Sequence, residues 1–377
     1  MNTTANSRLS QFWNHLQHDL FPWLHEEESL SLSPALEKVI RVLEFVEIER
    51  LLPPSRGFVG RPPQDRVALA RAFVAKAVLD LPTTEGLIER LQIDRALRRI
   101  CGSERVKAVP DASRFSRAFA EFSAQNLPAR VHEALIRSQL GDQLVGHVAR
   151  DSTEIEAREK PAPKVDPAPA AEPPAPKKRG RPRKGEVRIP EPTVIERQVS
   201  QSLEQNLAEL PTACDVGSKK NSKGFKESGI GYKRHIDTAD GDIPVSAILT
   251  SASVHDSQVA IPLMRQTGER VTYLYDLADA AYCSEVLREA SRQAGHVPLI
   301  DHNPRRGEKR PFAPHEAERY QARSQVERTN SQLKDNHGGR HVRVQGAPKV
   351  YTHLMFGILV IAAEQLLCLL HEPAAPG

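Results

Sequence analysis

The sequence predicts an α/β domain built on a mixed sheet with flanking helices, preceded by an all-α N-terminal domain. Three observations predict it. Up to about residue 140 the apolar residues recur at helical spacing. At LVGHVARDST the period shortens to two, with Leu144, Gly146 and Val148 on one side of a strand that ends at Asp151. Further on, VTYLYDLAD, SEVLREASRQAG and HVPLID read strand, helix, strand, which implies a parallel pair with a right-handed crossover.

The elements follow in chain order. Ser33 and Pro34 form an N-cap and N1 pair ahead of Leu36, Ile40 and Leu43. VALARAFVAKAVLDL is apolar on most sides and reads as a central helix. Thr84 and Asp94 open two short helices, and Asp111 caps one carrying Phe115, Phe119 and Phe122 as core residues. Short helices in a row are compatible with a helix-turn-helix unit. LPARVHEALIRSQL is a further amphipathic helix. Residues 156–200 differ in kind: Pro, Ala and Lys dominate, and such a stretch packs no core and stays extended. Order resumes with GYKRHID and DIPVSAILTSASVHD, two strands around a turn at Ala239–Asp242. Ser284 opens and Gly295 closes the helix before HVPLID. These elements divide the chain into a helical domain over 1–140 and an α/β domain over 141–372 with the insert inside it.

The net charge of +4 is too small to argue for nucleic acid by itself, so local clustering must. The four cysteines are widely spaced and form no C-x2-C pair, which argues against a zinc site and a disulfide scaffold and fits a reducing cytosol. The N-terminus lacks the pattern of a secretory signal. LMFGILVIAAEQLLCLL contains Glu364 and Gln365 and falls short of the ~20 residues of a membrane span, so it reads as a buried helix.

One segment carries the chemistry. In RYQARSQVERTNSQLKDNHGG, Tyr320, Arg323, Glu327 and Lys334 stand at the spacing Y-x2-R-x3-E-x6-K. At about 100° per residue one helix places them at roughly 0°, 300°, 340° and 320°, a stripe about 21 Å long. Ala322, Val326 and Leu333 fall on an apolar face beside Thr329. A carboxylate flanked by cations suits a metal and phosphates; taken alone, Arg323 and Glu327 at i, i+4 read as a surface ion pair. Hard divalent cations take carboxylates from separate elements. Asp151 ends a strand, Glu327 lies on a helix, and Asp279, Asp276 and Asp256 compete for a third place.

This pattern resembles the Y-R-E-K signature of bacterial insertion-sequence transposases of the DDE class. RDST at Arg150–Thr153, GYKRH at Gly231–His235, LADAAYCS around Asp279 and the run HLMFGILVIAAEQLL resemble further segments of that family. GRPPQDRVALARAFVAKAVL and CGSERVKAVPDASRFSRAF resemble its helical N-terminal domain. The resemblance implies a ribonuclease-H-like fold in which Asp151, Asp279 and Glu327 hold two Mg²⁺, with Mn²⁺ as substitute. It implies cleavage at element ends and 3′-OH strand transfer into target DNA, with Tyr320, Arg323 and Lys334 on the phosphates. It selects Asp279 over Asp276, which becomes structural. The partner implied is double-stranded DNA, held by a homodimer in the bacterial cytoplasm, associated with the nucleoid and away from membranes. The alternatives are a metal-dependent nuclease that does not join, and an inactive DNA-binding protein.

Two basic groups add to this. Arg179 and Arg181 sit in a Gly-Arg-Pro core like that of an AT-hook, suited to the narrow minor groove of A·T-rich DNA. Arg305 and Arg306, with Arg340 and Arg343, are candidates to line the DNA path. Some relatives stack an extruded base on a tryptophan, but here the tryptophans are Trp13 and Trp23, outside the α/β domain. Tyr232 and Tyr282 are the substitutes at hand.

Overall fold

The computed structural model describes residues 32–52, 65–163, 191–220, 224–304 and 308–371. Its helical part starts as the capping residues require. Ser33 accepts from the Leu36 amide at the head of α1 (Pro34–Val46). Asp65 caps α2 (Arg66–Val78), Asp94 caps α4 (Arg95–Ile100) and Asp111 caps α5 (Ala112–Ala124). The cap of α3 (Thr84–Ile93) is Thr83, one residue earlier than expected, because its Oγ1 accepts from the Gly86 amide at 2.9 Å. Phe115, Phe119 and Phe122 of α5 gather around Phe73 of α2, in the core as predicted. α6 (Leu127–Leu140) closes this part.

The α/β part holds, among the described residues, a six-stranded mixed sheet. Its strands are β1 (Leu144–Glu156), β2 (Asp215–Lys220), β3 (Lys226–Ala239), β4 (Ile243–Ser251), β5 (Thr272–Ala278) and β6 (Val297–Ile300). The order is β2-β3-β1-β5-β6. β3 runs antiparallel to β1, and its outer edge carries β2 on its first half and β4 on its second. β5 and β6 run parallel to β1, the pair predicted from strand–helix–strand. The turn between β3 and β4 bends at Gly241 and Asp242, both at positive φ.

Helices cover both faces, as a ribonuclease-H-like sheet requires. α9 (Ala260–Gly268) and α10 (Glu285–Gln293) form one layer, with α7 (Val194–Ser200) and α8 (Leu203–Glu209) against α9. On the other face lie α12 (Ser324–Asn336) and α13 (Ala347–His371), with α11 (Pro314–Tyr320) leading into α12. α13 packs on β4 and α12 from one side and on α2, α5 and α6 from the other. It is therefore apolar all round.

Several expectations are corrected. β1 does not end at Asp151 but runs to Glu156, because Asp151–Glu156 pair with Ile236–Gly231 of β3. Leu144 is exposed at its start, and Val145 is buried. The span 156–200 is not all extended insert: α7 forms at its end, where Thr193 and Glu196 make a capping box. Ser284 precedes α10 without a side-chain cap bond. Tyr320–Lys334 is not one α-helix, since a 3₁₀ turn at Gln321–Arg323 joins α11 to α12, so angles counted at 100° do not hold across it. α13 is long and apolar enough to cross a membrane by length and composition, which the shorter sequence reading missed. Burial between the two parts of the molecule accounts for its composition without a bilayer.

Two histidines, the buried His132 and the half-buried His353, tie stability to pH. His132 Nε2 donates to Pro244 O at 2.8 Å, and burial, reinforced by Arg270, holds its pKa down to about 3. Burial also holds His353, whose Nε2 donates to Gly338 O, down to about 4. Both values lie below the unfolded value near 6.5, so the unfolded chain binds more protons as pH falls through that value, and stability is lost. Urea unfolding at pH 7 and pH 4.5 is expected to show this loss. His132→Gln keeps a donor for Pro244 O and is expected to lose less, by up to about 1.4 kcal/mol per pH unit. An identical loss in wild type and variant would refute the assignment.

Candidate functional site

β1 sends successive side chains to opposite faces of the sheet, and this separates two charged systems. Arg150 points one way. Its Nε and Nη2 each donate at 2.9 Å to the two oxygens of Asp237, its register partner on β3. Nη1 lies 3.3 Å from Asp276 of β5. Thr267 of α9 adds a hydroxyl to Asp237 at 2.7 Å. All three charged groups are buried. Burial works against the charge on Arg150, but the two carboxylates outweigh it and keep the guanidinium protonated.

Asp151 points the other way, toward α12. The β1–β5 register pairs Arg150 with Ala278, so Asp279, the next residue, comes up beside Asp151. Asp279 opens the 3₁₀ turn Ala280–Tyr282, and its Oδ1 accepts from the Ala281 amide at 2.9 Å. Arg323 reaches all three predicted carboxylates. Its Nη2 is 3.5 Å from Asp151 and 3.6 Å from Asp279, and its Nη1 is 2.7 Å from Glu327. Arg323 Nε is buried and has no hydrogen-bond partner among the described residues. Tyr320 donates its hydroxyl to Ala278 O at 3.3 Å and packs its ring on Phe312. Burial pushes the Tyr320 phenol up to about 12, so it stays protonated. Lys334 is half-buried, seven residues after Glu327 on α12.

The electrostatics reflect crowded acids. Burial raises Asp151 to about 6 against the pull of Arg323, and Asp279 and Asp256 add repulsion. Burial also raises Asp279, opposed by the Ala281 amide and by Arg323. Asp256 is half-buried, yet its pKa is lowered, because Lys233 at 3.0 Å, His235 and a Ser152 hydrogen bond outweigh the desolvation.

Asn330, which sequence reasoning missed, donates from Nδ2 to Asp151 Oδ2 at 2.8 Å. It accepts in turn from the buried Arg234. The local signal was ambiguous: within α12 Asn330 lies about 60° from Glu327 and about 40° from Val326, on the border between the polar stripe and the apolar face. Arg150, Asp237 and Arg234 had no such signal, since nothing local marks a charged strand residue as buried. Asp276, a competitor for the metal site, belongs to the Arg150 cluster on the opposite face. Val326, Thr329 and Leu333 form the buried face of α12 that the sequence predicts. Tyr232 and Tyr282 are buried and offer no open ring face, which corrects their candidacy as base-stacking residues. Arg179, Arg181, Arg305 and Arg306 lie outside the described residues.

Three carboxylates meeting on one guanidinium form a hard-oxygen donor set suited to Mg²⁺ or Mn²⁺. Among the described residues no three ligand side chains stand close enough to hold a metal as they are, because Arg323 lies among them.

The DDE transposase domain family matches residues 146–362, more than half of the chain. A second transposase-domain family (DUF772) matches residues 25–121. No curated protein and no solved structure matches the chain. The chain belongs to the DDE transposases. It is thus a transposase, a phosphoryl-transfer enzyme acting on DNA, in a family that normally uses divalent metals.

The Arg150 cluster makes a stability prediction. Arg150→Leu leaves Asp237 and Asp276 buried without their counter-ion and is expected to cost about 3–5 kcal/mol. Equilibrium denaturation measures it, and a cost under about 1 kcal/mol, the scale of exposed ion pairs, would contradict this reading of the cluster.

Proposed function

We propose that this chain cuts DNA at the ends of an insertion sequence and joins the freed 3′-OH to target DNA. The observation that carries this reading is the convergence of Asp151, Asp279 and Glu327 on Arg323. Asp151, Asp279 and Glu327 would hold two Mg²⁺, with Mn²⁺ as substitute. Such a pair of ions supplies Lewis acidity to the attacking and leaving oxygens of an in-line displacement.

The chain's own residues do the positioning. Asn330 holds one oxygen of Asp151, which fixes the carboxylate plane and leaves Oδ1 facing Arg323. The Ala281 amide does the same for Asp279. Arg323, Tyr320 and Lys334 bind phosphate oxygens flanking the scissile bond. Among the described residues Arg323 Nε has no partner to give up first, and Tyr320 offers a neutral hydroxyl. Phosphoryl transfer asks for such alignment and positive charge rather than covalent help. Arg323 also competes with divalent cations for the three carboxylates, so phosphate binding that draws it away opens them.

Residues 1–140 form the unit that recognises ends or pairs protomers, and 141–372 the catalytic unit. Arg179 and Arg181 contact the minor groove, and Arg305 and Arg306 the strand near the site. Two ends must be held together, so the working form is a homodimer on DNA.

The test uses labelled DNA carrying the inverted repeats that flank the gene, a target plasmid, and Mg²⁺ or EDTA. Wild type is expected to cut and join only with Mg²⁺, and Glu327→Gln to lose at least a hundredfold in rate, on the scale of one lost electrostatic group. Cutting without joining would make the protein a nuclease. Binding without cutting under any metal would leave a DNA-binding protein. A second measurement reads Arg323 apart from catalysis. Mn²⁺ titration followed by electron paramagnetic resonance is expected to show tighter binding in Arg323→Gln than in wild type when DNA is absent. Equal or weaker binding would count against the competition.

A further inference from the structure

A cavity of about 440 Å³ opens at the far end of α12, between the helical part and the α/β part. It is separate from the carboxylate site. His337 and Gly338, just past α12, line it. His337 is ten residues beyond Glu327, about 15 Å along a helix axis at ~1.5 Å per residue.

Four cations from four places in the chain converge on it: Lys76 of α2, Arg158 just past β1, Arg343 before α13 and Lys349 in the first turn of α13. Arg158, Arg343 and Lys349 are exposed, and none of them makes an ion pair among the described residues. Lys76 lies deeper, where burial lowers its amine to about 8 despite the nearby Asp80. The floor is apolar, with Phe73 and Phe356 packed together at 5.7 Å. Two acids, Asp80 and Glu85, also line it, and Asp80 is already engaged by the Gly338 amide at 3.0 Å. Positive charge is therefore in excess around a concave site of nucleotide size.

We propose that this cavity seats a sugar-phosphate unit of the DNA strand, with Arg158, Arg343, Lys349 and Lys76 around the phosphate and the phenyl floor beneath the sugar. The inference rests on the transposase reading and adds a second anchor to it. With phosphates spaced 3.4 Å along each strand, 15 Å places that anchor about four to five nucleotides from the scissile bond. The helical part and the α/β part both contribute, so DNA seated here fixes one against the other at a set distance from Glu327.

The experiment uses the full chain and a duplex bearing one element end. Wild type is compared with Arg343→Gln/Lys349→Gln and separately with Arg158→Gln. These side chains are exposed, and thermal melting checks that each variant is folded. Affinity is measured by fluorescence anisotropy from 50 to 200 mM salt, and phosphate contacts by ethylation interference. The double variant is expected to bind about tenfold more weakly, with a salt slope shallower by about 1. Arg158→Gln is expected to move the same way. Ethylation four to five nucleotides from the cut is expected to interfere with wild type and not with the double variant. Unchanged slope and unchanged interference, in variants that bind through the carboxylate site, would overturn the cavity assignment and leave the transposase reading standing. Free deoxynucleoside monophosphate that fills the cavity at micromolar concentration without competing with DNA would also overturn it, making the site one for a small molecule. A wild type that binds no DNA at all would remove both readings together.

Discussion

Arg150 sets the frame in which the rest of the molecule makes sense. It binds Asp237 on β3 and Asp276 on β5, so one guanidinium spans the three central strands of the sheet. A one-residue slip of β1 against either neighbour would exchange the faces of all its side chains. Such a slip would bury Asp151 where Arg150 now sits and would strand two acids in the core. Buried ion clusters are weak contributors to net stability, but they discriminate strongly against arrangements that leave a charge unpaired. In this sheet the discrimination fixes register, and register is what brings Asp151 and Asp279 side by side.

The second constraint is α13. Its residues enter the core shared with the helical part and the core against the sheet. A helix clad on both sides must be apolar on both, which is why it resembles a membrane span in composition while lying between two layers of one protein. It also supports α12 from below through Leu333 and Leu354, and so holds the helix that carries Glu327. Packing and chemistry are joined here: the same helix pair that closes the core sets the reach of the site.

The site itself is a balance between burial and charge. Burial raises Asp151 and Asp279, whereas Arg323 pulls both back toward the ionised form. Asn330 and the Ala281 amide spend one oxygen of each aspartate on orientation, leaving the others turned toward the guanidinium. Glu327 differs: it is the most exposed of the three, and among the described residues Arg323 is its one ion-pair partner. Its position is therefore the most dependent on what Arg323 does.

Much of this was legible in sequence because it is local. Caps at Ser33, Asp94 and Asp111, the turn at Gly241–Asp242, the alternation around Asp151 and the apolar face of α12 all depend on residues a few positions apart. Even the capping box at Thr193 and Glu196 was there to be read. The Y-R-E-K spacing marked Arg323 and Glu327 as neighbours, since four residues make one helical turn. What sequence could not supply were contacts made across the sheet. That Arg150 is buried on Asp237 and Asp276, that Arg234 reaches Asn330, and that Lys76, Arg158, Arg343 and Lys349 ring one cavity are outcomes of register and layer packing. By itself the sequence determined which elements form and which residues bear chemistry, because propensity, capping and periodicity act over a few residues. The tertiary structure alone decided which charges meet and which are buried, because that depends on strand register and on helices packed from distant parts of the chain.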